Sequence, residues 1–476
     1  MEPLRTLFLC APSYDKFDGG AGSRYQARRE ITSYWYPTWL AQPAAMVPGS
    51  RLIDAPPHQI GWDGALAAAA DHELVVLHTS TPGFANDVRF CEALKSRRAD
   101  VLVGLCGAHT AVNPASSLEA SAAIDFVCNK EFDETLREIA FGRPLAEVDG
   151  ISFRVDGRIV HNRPRAEIQD MDALPSVLDV YRDNLDIEAY FIGYLLHPYV
   201  SFYTGRGCRS RCTFCLWPQT IGGHTYRVQS PERVAGEVAR VRELWPRVKE
   251  VFFDDDTFTD DRQRTEATAR LLGPIGLPWS CNAKANVPYD TLKIMRDNGC
   301  RLLLVGFESG NQQILNNIKK GLRVDRAREF VAHCKDLGLK IHGTFIIGLP
   351  GETAETIEET IRYACELEPE SLQVSLAAPY PGTELYAQAV ENGWLDGGSV
   401  VNADGIQIPA LRYDNLSPAQ MNDAVERLYK TFYRRPRVLW GQIKPMLHDP
   451  ELRRRRLREG REFLQFFRRR GADAAG

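Results

Sequence analysis

The sequence predicts an α/β protein in three parts: a doubly wound, Rossmann-like amino-terminal domain, a larger second set of strand–helix units, and a helical tail. From residue 5 to 140, short apolar runs alternate with helical patterns, which gives a parallel sheet covered on both faces. From about residue 198 to 385 the alternation resumes, and each apolar run ends in a glycine or polar cluster, as strands do at the catalytic mouth of a (β/α) barrel. The change to an arginine-rich helical pattern after Asn415 marks the tail. The segments divide as 1–145, a hairpin and linker over 146–197, the barrel over 198–400, and the helical region 401–476.

The 476 residues suffice for two or three domains, and the net charge of −4 argues against a generally basic nucleic-acid binder. Eleven cysteines are an odd set for a disulfide framework. Eight of them (Cys10, Cys91, Cys106, Cys128, Cys281, Cys300, Cys334 and Cys365) stand singly in mostly apolar segments, as small buried hydrophobes of a reducing compartment. The amino terminus opens with an acid and soon becomes a strand, unlike a signal peptide, and no run of about 18 apolar residues occurs. A cytoplasmic protein is expected, at most attached to the inner face of a membrane.

In the first domain, Arg5–Cys10, Arg51–Asp54, Leu74–His78, Val101–Cys106 and Ile124–Cys128 read as strands, with helices over Asp63–Ala70, Asn86–Ser96 and Phe132–Phe141. Ligands bind such sheets at the carboxyl ends of the strands. Those ends carry Ala55-Pro-Pro-His58, Thr79-Ser80-Thr81 and Gly107-Ala108-His109. The insert at 16–47 places glycines beside Arg24, Arg28 and Arg29, a cradle for phosphate or sugar or an ordinary glycine-rich loop. Its aromatic group Tyr34-Trp35-Tyr36-Pro37-Thr38-Trp39 either contacts substrate or closes a core. Further on, Asp156-Gly157 between alternating runs signals a hairpin, and Asp170–Pro175 an extended linker.

The second domain opens on Cys208, Cys212 and Cys215, a C-x3-C-x2-C triplet directly after a strand ending at Thr204. Soft sulfur ligands select zinc, copper(I) or an iron–sulfur cluster. A structural zinc would want a fourth ligand at short spacing, and none follows nearby. A four-iron cluster on three cysteines leaves one iron free for chemistry. Further strands at Glu250–Phe253, Trp279–Ala283, Arg301–Val305, Lys340–Ile347 and Ser371–Ala377 run into Asp254-Asp255-Asp256, Lys284, Gly306-Phe307-Glu308-Ser309, Gly348-Leu349-Pro350-Gly351 and Pro379–Thr383.

The triplet, with Phe214 before its last cysteine, resembles the cluster loop of the radical S-adenosylmethionine (SAM) enzymes. The resemblance implies an open, partial (β/α)6 barrel holding a 4Fe-4S cluster on Cys208, Cys212 and Cys215, whose free iron chelates SAM. Electron transfer from a reductant such as flavodoxin or ferredoxin then yields a 5′-deoxyadenosyl radical. It further implies that Phe214 faces the adenine, that Asp254 or Asp255 takes the ribose hydroxyls, and that Glu308 and Ser309 hold the ribose or the methionyl ammonium. Gly348 and Gly351 would let the backbone approach the adenine. Lys284 would stand near the SAM carboxylate or in solvent.

The first domain resembles the cobalamin-binding domain of one branch of that family, with Thr79, Ser80, Thr81, Gly107 and His109 where the corrin and its nucleotide tail approach. Asp54 and His58 lack the spacing of the cobalt-ligating Asp-x-His-x-x-Gly motif, so His58 is not expected to ligate cobalt, and a vestigial domain is the alternative. Within this branch, the insert and the Tyr36-Pro37-Thr38-Trp39-Leu40-Ala41-Gln42-Pro43-Ala44-Ala45 segment are similar to the hopanoid-biosynthesis-associated radical SAM proteins. That implies a lipid-linked aminosugar substrate, the glucosaminyl head group of bacteriohopanetetrol, converted into a ring-contracted cyclitol ether. A cobalamin-dependent radical SAM methyltransferase is the alternative, and a non-catalytic metal-stabilised binding protein a third reading. In the tail, Arg453–Arg456, Arg458, Arg461 and Arg468–Arg470 accompany Leu457, Phe463, Leu464, Phe466 and Phe467, either an interfacial helix on anionic lipid or a solvated helix packed on the barrel.

Overall fold

The computed structural model describes residues 2–12, 30–395, 399–402, 405–447 and 449–473, with the side chains of 451 and 467–473 also set aside. The glycine-rich part of the insert, with Arg24, Arg28 and Arg29, lies outside the described residues, as do the side chains of Phe467 and Arg468–Arg470.

Strands β1 (Thr6–Cys10), β2 (Arg51–Asp54), β3 (Leu74–His78), β4 (Leu102–Cys106) and β5 (Phe126–Cys128) pair in parallel. They are almost wholly apolar because helices cover both faces of the sheet. Two antiparallel strands, β6 (Ile151–Val155) and β7 (Arg158–His161), complete the order β2-β1-β3-β4-β5-β6-β7. The hairpin turn is where the sequence puts it, at Asp156 (φ +46°) and Gly157 (φ +75°). The sequence division set this hairpin, with the linker, apart from the first domain, yet it extends the first sheet. Buried Ile151 and Phe153 alternate on β6, which pairs with β5. A short helix, Leu178–Asn184, follows the linker without a clear sequence signal.

The second sheet holds β8 (Tyr199–Phe202), β11 (Glu250–Phe253), β12 (Trp279–Ala283), β13 (Cys300–Glu308), β14 (Lys340–Ile347) and β15 (Ser371–Leu376). All pair in parallel in the order β15-β14-β13-β12-β11-β8, so β8 and β15 are the two edges of an open half-barrel. A separate small ribbon, β9 (Gly205–Arg206) with β10 (Arg227–Val228), brackets the cysteine loop. Ser230 caps the helix Pro231–Leu244, Asp261 the helix Arg262–Leu272 and Thr353 the helix Ala354–Leu367, so each crossover begins where its strand-end loop stops.

Side chains close the β15 edge. The amides of Leu372, Val374 and Leu376 donate to Tyr433 Oη (3.1 Å), Tyr429 Oη (2.9 Å) and Gln407 Oε1 (2.9 Å). Both tyrosines come from the helix Pro418–Tyr433, started by a Ser417–Gln420 capping box. The chain ends in the helices Pro436–Ile443 and Pro450–Asp473. Among the described residues no helix is long and apolar enough to cross a membrane.

A buried ionic cluster joins the first domain to the β9–β10 ribbon. Arg206 donates to both Asp133 oxygens (2.6 and 3.0 Å) and to Glu131 (3.2 Å), while Arg227 grips Glu131 with two 2.9 Å bonds. Beside it, Tyr36 stacks on Tyr190 with ring centroids 4.1 Å apart and donates to the carbonyl of Tyr199 on β8. Tyr36 and Trp39 thus close a core, whereas Trp35 reaches the interior of the half-barrel.

Candidate active site

The three cysteines lie on one loop that the surrounding backbone holds by its carbonyls. Gln219 Nε2 donates to the carbonyls of Cys212 (3.1 Å), Thr213 (3.2 Å) and Cys215 (2.7 Å). The amide of Thr213 reaches Ile318, and its carbonyl accepts from Leu385. Gly207 begins the loop at φ +86°, and a Cβ there would meet the Thr225 carbonyl at 2.2 Å, so only glycine fits. None of these contacts uses a thiol; Cys208 Sγ lies 3.7 Å from Thr257 Oγ1, and burial first, then the neighbouring Cys212, pushes the Cys215 thiol well up. Among the described residues no three His, Cys, Asp or Glu side chains converge on a single metal ion. Three thiolates that each bind a different iron of a cluster are spaced more widely than ligands of one ion, so the donor set and loop fit a four-iron cluster.

Facing the loop is a cavity of 160 Å³ lined by Phe214, Asp254, Asn282, Glu308, Thr344 and neighbouring residues of β13–β15. Phe214, Asp254 and Glu308 therefore line one cavity. Asp254 accepts from Asn282 Nδ2 at 3.1 Å. Asp255 is different: it is fully buried and accepts from the amide (2.6 Å) and hydroxyl (2.7 Å) of Thr204 and from Tyr226 (3.2 Å). Of the two aspartates, only Asp254 lines the cavity. Glu308 adopts φ +63°, a rare conformation for a side-chain-bearing residue, at the register shift of β13 against β14.

Lys320, which the sequence reading did not single out, donates to Glu308 Oε1 at 2.6 Å. Burial opposes its charge, but Glu308 and the Cys212 thiol outweigh that and raise its pKa. Its only signal was a lysine three residues past the helix Gln312–Asn317, which becomes informative once the fold brings it to the cysteines. Lys284 pairs with Asp260 rather than standing in solvent. Ser309 is fully buried, its hydroxyl 3.1 Å from that of Thr360. Gly348 (φ +88°) and Gly351 (φ +87°) are not among the residues that line the cavity, and added Cβ atoms would meet Met421 Sδ at 2.9 Å and Asn317 Nδ2 at 2.7 Å. Packing thus accounts for both glycines.

On the first sheet, Thr79, Ser80, Thr81, Gly107 and His109 come together at the ends of β3 and β4. Thr81 Oγ1 lies 3.1 Å from His109 Nδ1, and the His109 ring stacks on Phe84 with centroids 4.2 Å apart. Gly107 sits at φ +122°, where a Cβ would meet the Thr79 carbonyl at 2.2 Å. Between them and the cysteine loop stands His78, 6.4 Å centroid to centroid from Trp217. Burial lowers its pKa to about 4, so it is neutral at physiological pH. Both its ring nitrogens and the Ser80 hydroxyl are buried without hydrogen-bond partners. Orphaned polar atoms at strand ends that face the second domain fit a bound group carrying amide donors and acceptors. His58 is not such a group: its Nδ1 donates to the Asp54 carbonyl (2.7 Å), and its Nε2 accepts from the Asp186 amide (2.9 Å).

Comparison with known proteins bears on both domains. The profile of the Radical SAM superfamily matches residues 202–364. An uncharacterized methyltransferase of Pyrococcus horikoshii is 29% identical over 380 residues, 78% of this chain and 81% of its own length. The radical SAM methyltransferase TsrM of Kitasatospora setae, solved with tryptophan and a SAM analogue, shares the fold over 90% of this chain and 89% of its own, with TM-score 0.69 at 15% identity. The cobalamin-dependent radical enzyme OxsB, solved with aqua-cobalamin and SAM, superposes on 99% of this chain and 72% of its own, with TM-score 0.69 at 14% identity. Its cysteine loop lies at the start of the matched region, and its fold is shared over most of its length with these two solved proteins; the chain is a radical SAM enzyme.

Proposed function

We propose that the protein is a cobalamin-dependent radical SAM methyltransferase. The observation that carries this reading is the seam between the domains: the ends of β3 and β4 face the cysteine loop across the His78–Trp217 contact, so groups seated on the two domains meet at one substrate. The alignment with a methyltransferase through both domains supports it. When bound, the cluster with SAM supplies a 5′-deoxyadenosyl radical, and cobalamin supplies a methyl group.

The chain's own residues position these groups. Cys208, Cys212 and Cys215 would hold the cluster, and Glu308, fixed by Lys320, presents a carboxylate to the SAM ammonium. Asp254, steadied by Asn282, accepts from ribose hydroxyls, and Phe214 covers the adenine. Neutral His78 and Ser80 offer hydrogen bonds to corrin amides without burying a charge. The ionic cluster of Arg206, Arg227, Glu131 and Asp133 keeps the two half-sites in register.

A second reading is ring contraction of a glucosaminyl hopanoid head group to a cyclitol ether. It is favoured by the segment from Tyr36 to Ala45, which resembles the hopanoid-associated proteins and contributes Trp39, stacked on Trp217 of the cysteine loop at 5.4 Å. One experiment separates the two. Anaerobically reconstituted enzyme is given SAM, reductant and a lipid extract containing glucosaminyl hopanoid. Methyl transfer yields S-adenosylhomocysteine, deoxyadenosine and a product heavier by one methyl. Ring contraction yields deoxyadenosine and an isomeric or reduced product with no S-adenosylhomocysteine. Absence of deoxyadenosine refutes both.

A further inference from the structure

Beside the β15 edge of the half-barrel lies a second cavity. It measures 330 Å³ and is walled mainly by apolar side chains, among them Trp35, Ile192, Tyr194, Leu372, Tyr433 and Phe463. Its volume lies in the range of small-molecule sites. Trp35, Tyr194 and Gln373 line both this cavity and the one that holds Asp254 and Glu308, so the two are neighbours sharing a wall of three residues. Charged groups on its lining are already engaged: Glu459 is paired with Arg456 (2.9 Å) and Arg455 (3.5 Å), and Glu30 accepts from Tyr429 (3.2 Å). A ligand here meets a largely apolar wall whose two carboxylates already have partners.

The C-terminal segment contributes Gln442, Met446 and the exposed Gly460 to the lining, so the cavity reaches the surface at that segment. The same segment carries most of the large apolar side chains the described protein exposes: Leu439, Trp440, Ile443, Leu447, Leu457 and Leu464, with Trp440 56% and Leu447 59% accessible. Arg453, Arg454, Arg458 and Arg461 stand among them. Exposed apolar residues interspersed with arginines suit a surface that lies on an anionic bilayer.

We propose that this lateral cavity takes the hydrocarbon part of a membrane-derived amphiphile, drawn in past the C-terminal helices from an anionic bilayer, while its polar head enters the barrel cavity. The proposal rests on the reading of the barrel cavity as the place of hydrogen abstraction, and it names the substrate class. Gly460 provides the test. A Cβ there meets nothing within 4 Å, and a helical glycine replaced by phenylalanine gains helix propensity, so Gly460→Phe narrows the mouth without straining the fold.

The reconstituted enzyme is mixed with vesicles of phosphatidylglycerol and phosphatidylcholine carrying a photoreactive diazirine fatty alcohol, irradiated, and mapped by peptide mass spectrometry. Adducts are expected on the peptides holding Trp35, Tyr194 and Leu372. They should fall about tenfold in Gly460→Phe and in Ser371→Trp, as when a bulky group blocks a site. Flotation with the vesicles should require phosphatidylglycerol and should fall about as much in the Trp440→Ser, Leu447→Ser double variant. Adducts confined to the outer face of the helices, or channel labelling that ignores both blocking variants, overturns the proposal. Flotation that ignores the lipid charge and the double variant overturns its bilayer part. Deoxyadenosine release from SAM without lipid is followed in parallel. Its failure in the unsubstituted enzyme would count against the proposed chemistry, whereas the labelling pattern decides the channel by itself.

Discussion

Glu131→Gln tests the joint between the domains. The side chains of Arg206, Arg227 and Glu131 are 3–4% exposed and that of Asp133 fully buried, and their formal charges cancel: two guanidiniums against two carboxylates. Burial opposes ionisation of Glu131, but Arg206 and Arg227 outweigh it and hold its pKa below the ordinary value. The substitution removes one negative charge and leaves the buried Arg227 guanidinium facing only the partly exposed Glu167, 3.7 Å from its Nε. Breaking a buried pair in this way costs about 3–5 kcal/mol. The glutamine oxygen can still accept from one arginine, so the expected loss is near the lower end, about 3 kcal/mol, a large share of a typical domain's 5–15 kcal/mol. Urea denaturation at pH 7 measures it, and deoxyadenosine formation should fall with it as the half-sites lose register. Replacing both partners, Glu131→Met with Arg227→Met, leaves the Arg206–Asp133 pair matched and should recover most of the stability. A loss below about 1 kcal/mol for Glu131→Gln, as for a surface pair, or a double variant less stable than the single one, refutes this reasoning.

Four further outcomes are expected. Glu352 is buried with its pKa raised to about 8, despite accepting from the amides of Gly348 and Leu349. The native state therefore holds a proton that the unfolded state has lost, so this contribution is complete below the ordinary glutamate pKa and is lost as pH rises through about 8. Glu352→Gln, which mimics the protonated acid, should flatten the fall in melting temperature between pH 6 and 9, and an unchanged slope counts against it. Cys215→Ala should abolish cluster absorbance and SAM cleavage while leaving the far-ultraviolet circular dichroism intact, because Gln219 grips the loop by its carbonyls, not its thiols. Lys320→Met strips Glu308 of its partner and should weaken SAM binding by about tenfold or more in calorimetry, with equal affinity in the variant as the refuting result. His78→Phe should weaken corrin binding by about tenfold, read from cobalamin absorbance retained after gel filtration, through loss of buried hydrogen bonds.

Most of the architecture was legible because strand ends announce themselves. The five parallel strands of the first sheet and the six of the second lie within a few residues of where alternation and apolar runs put them. The cysteine loop, Phe214, Asp254 and Glu308 were legible as a linear motif followed by polar clusters in barrel order. What the sequence could not resolve was the direction of individual side chains. Asp254 and Asp255 are adjacent on a strand end, so pleating sends one to the cavity and the other to Thr204. Gly348 and Gly351 carry the mark of close approach, but the approaching atoms belong to Met421 and Asn317. Lys320 gains meaning only from burial beside Glu308 and Cys212, and His78 only from burial beside Trp217. The Tyr34–Trp39 group divided: Tyr36 and Trp39 pack, and Trp35 lines both cavities.

The tyrosine-capped edge has a consequence for association. An open sheet presents a row of unpaired amides, a ready template for another chain. Here the outward amides at 372, 374 and 376 are each consumed by a side chain of the same molecule, so two half-barrels cannot zip together along β15. The protein can leave its barrel incomplete without inviting edge-to-edge aggregation, and Tyr429 and Tyr433 act as guards of solubility as much as parts of the core.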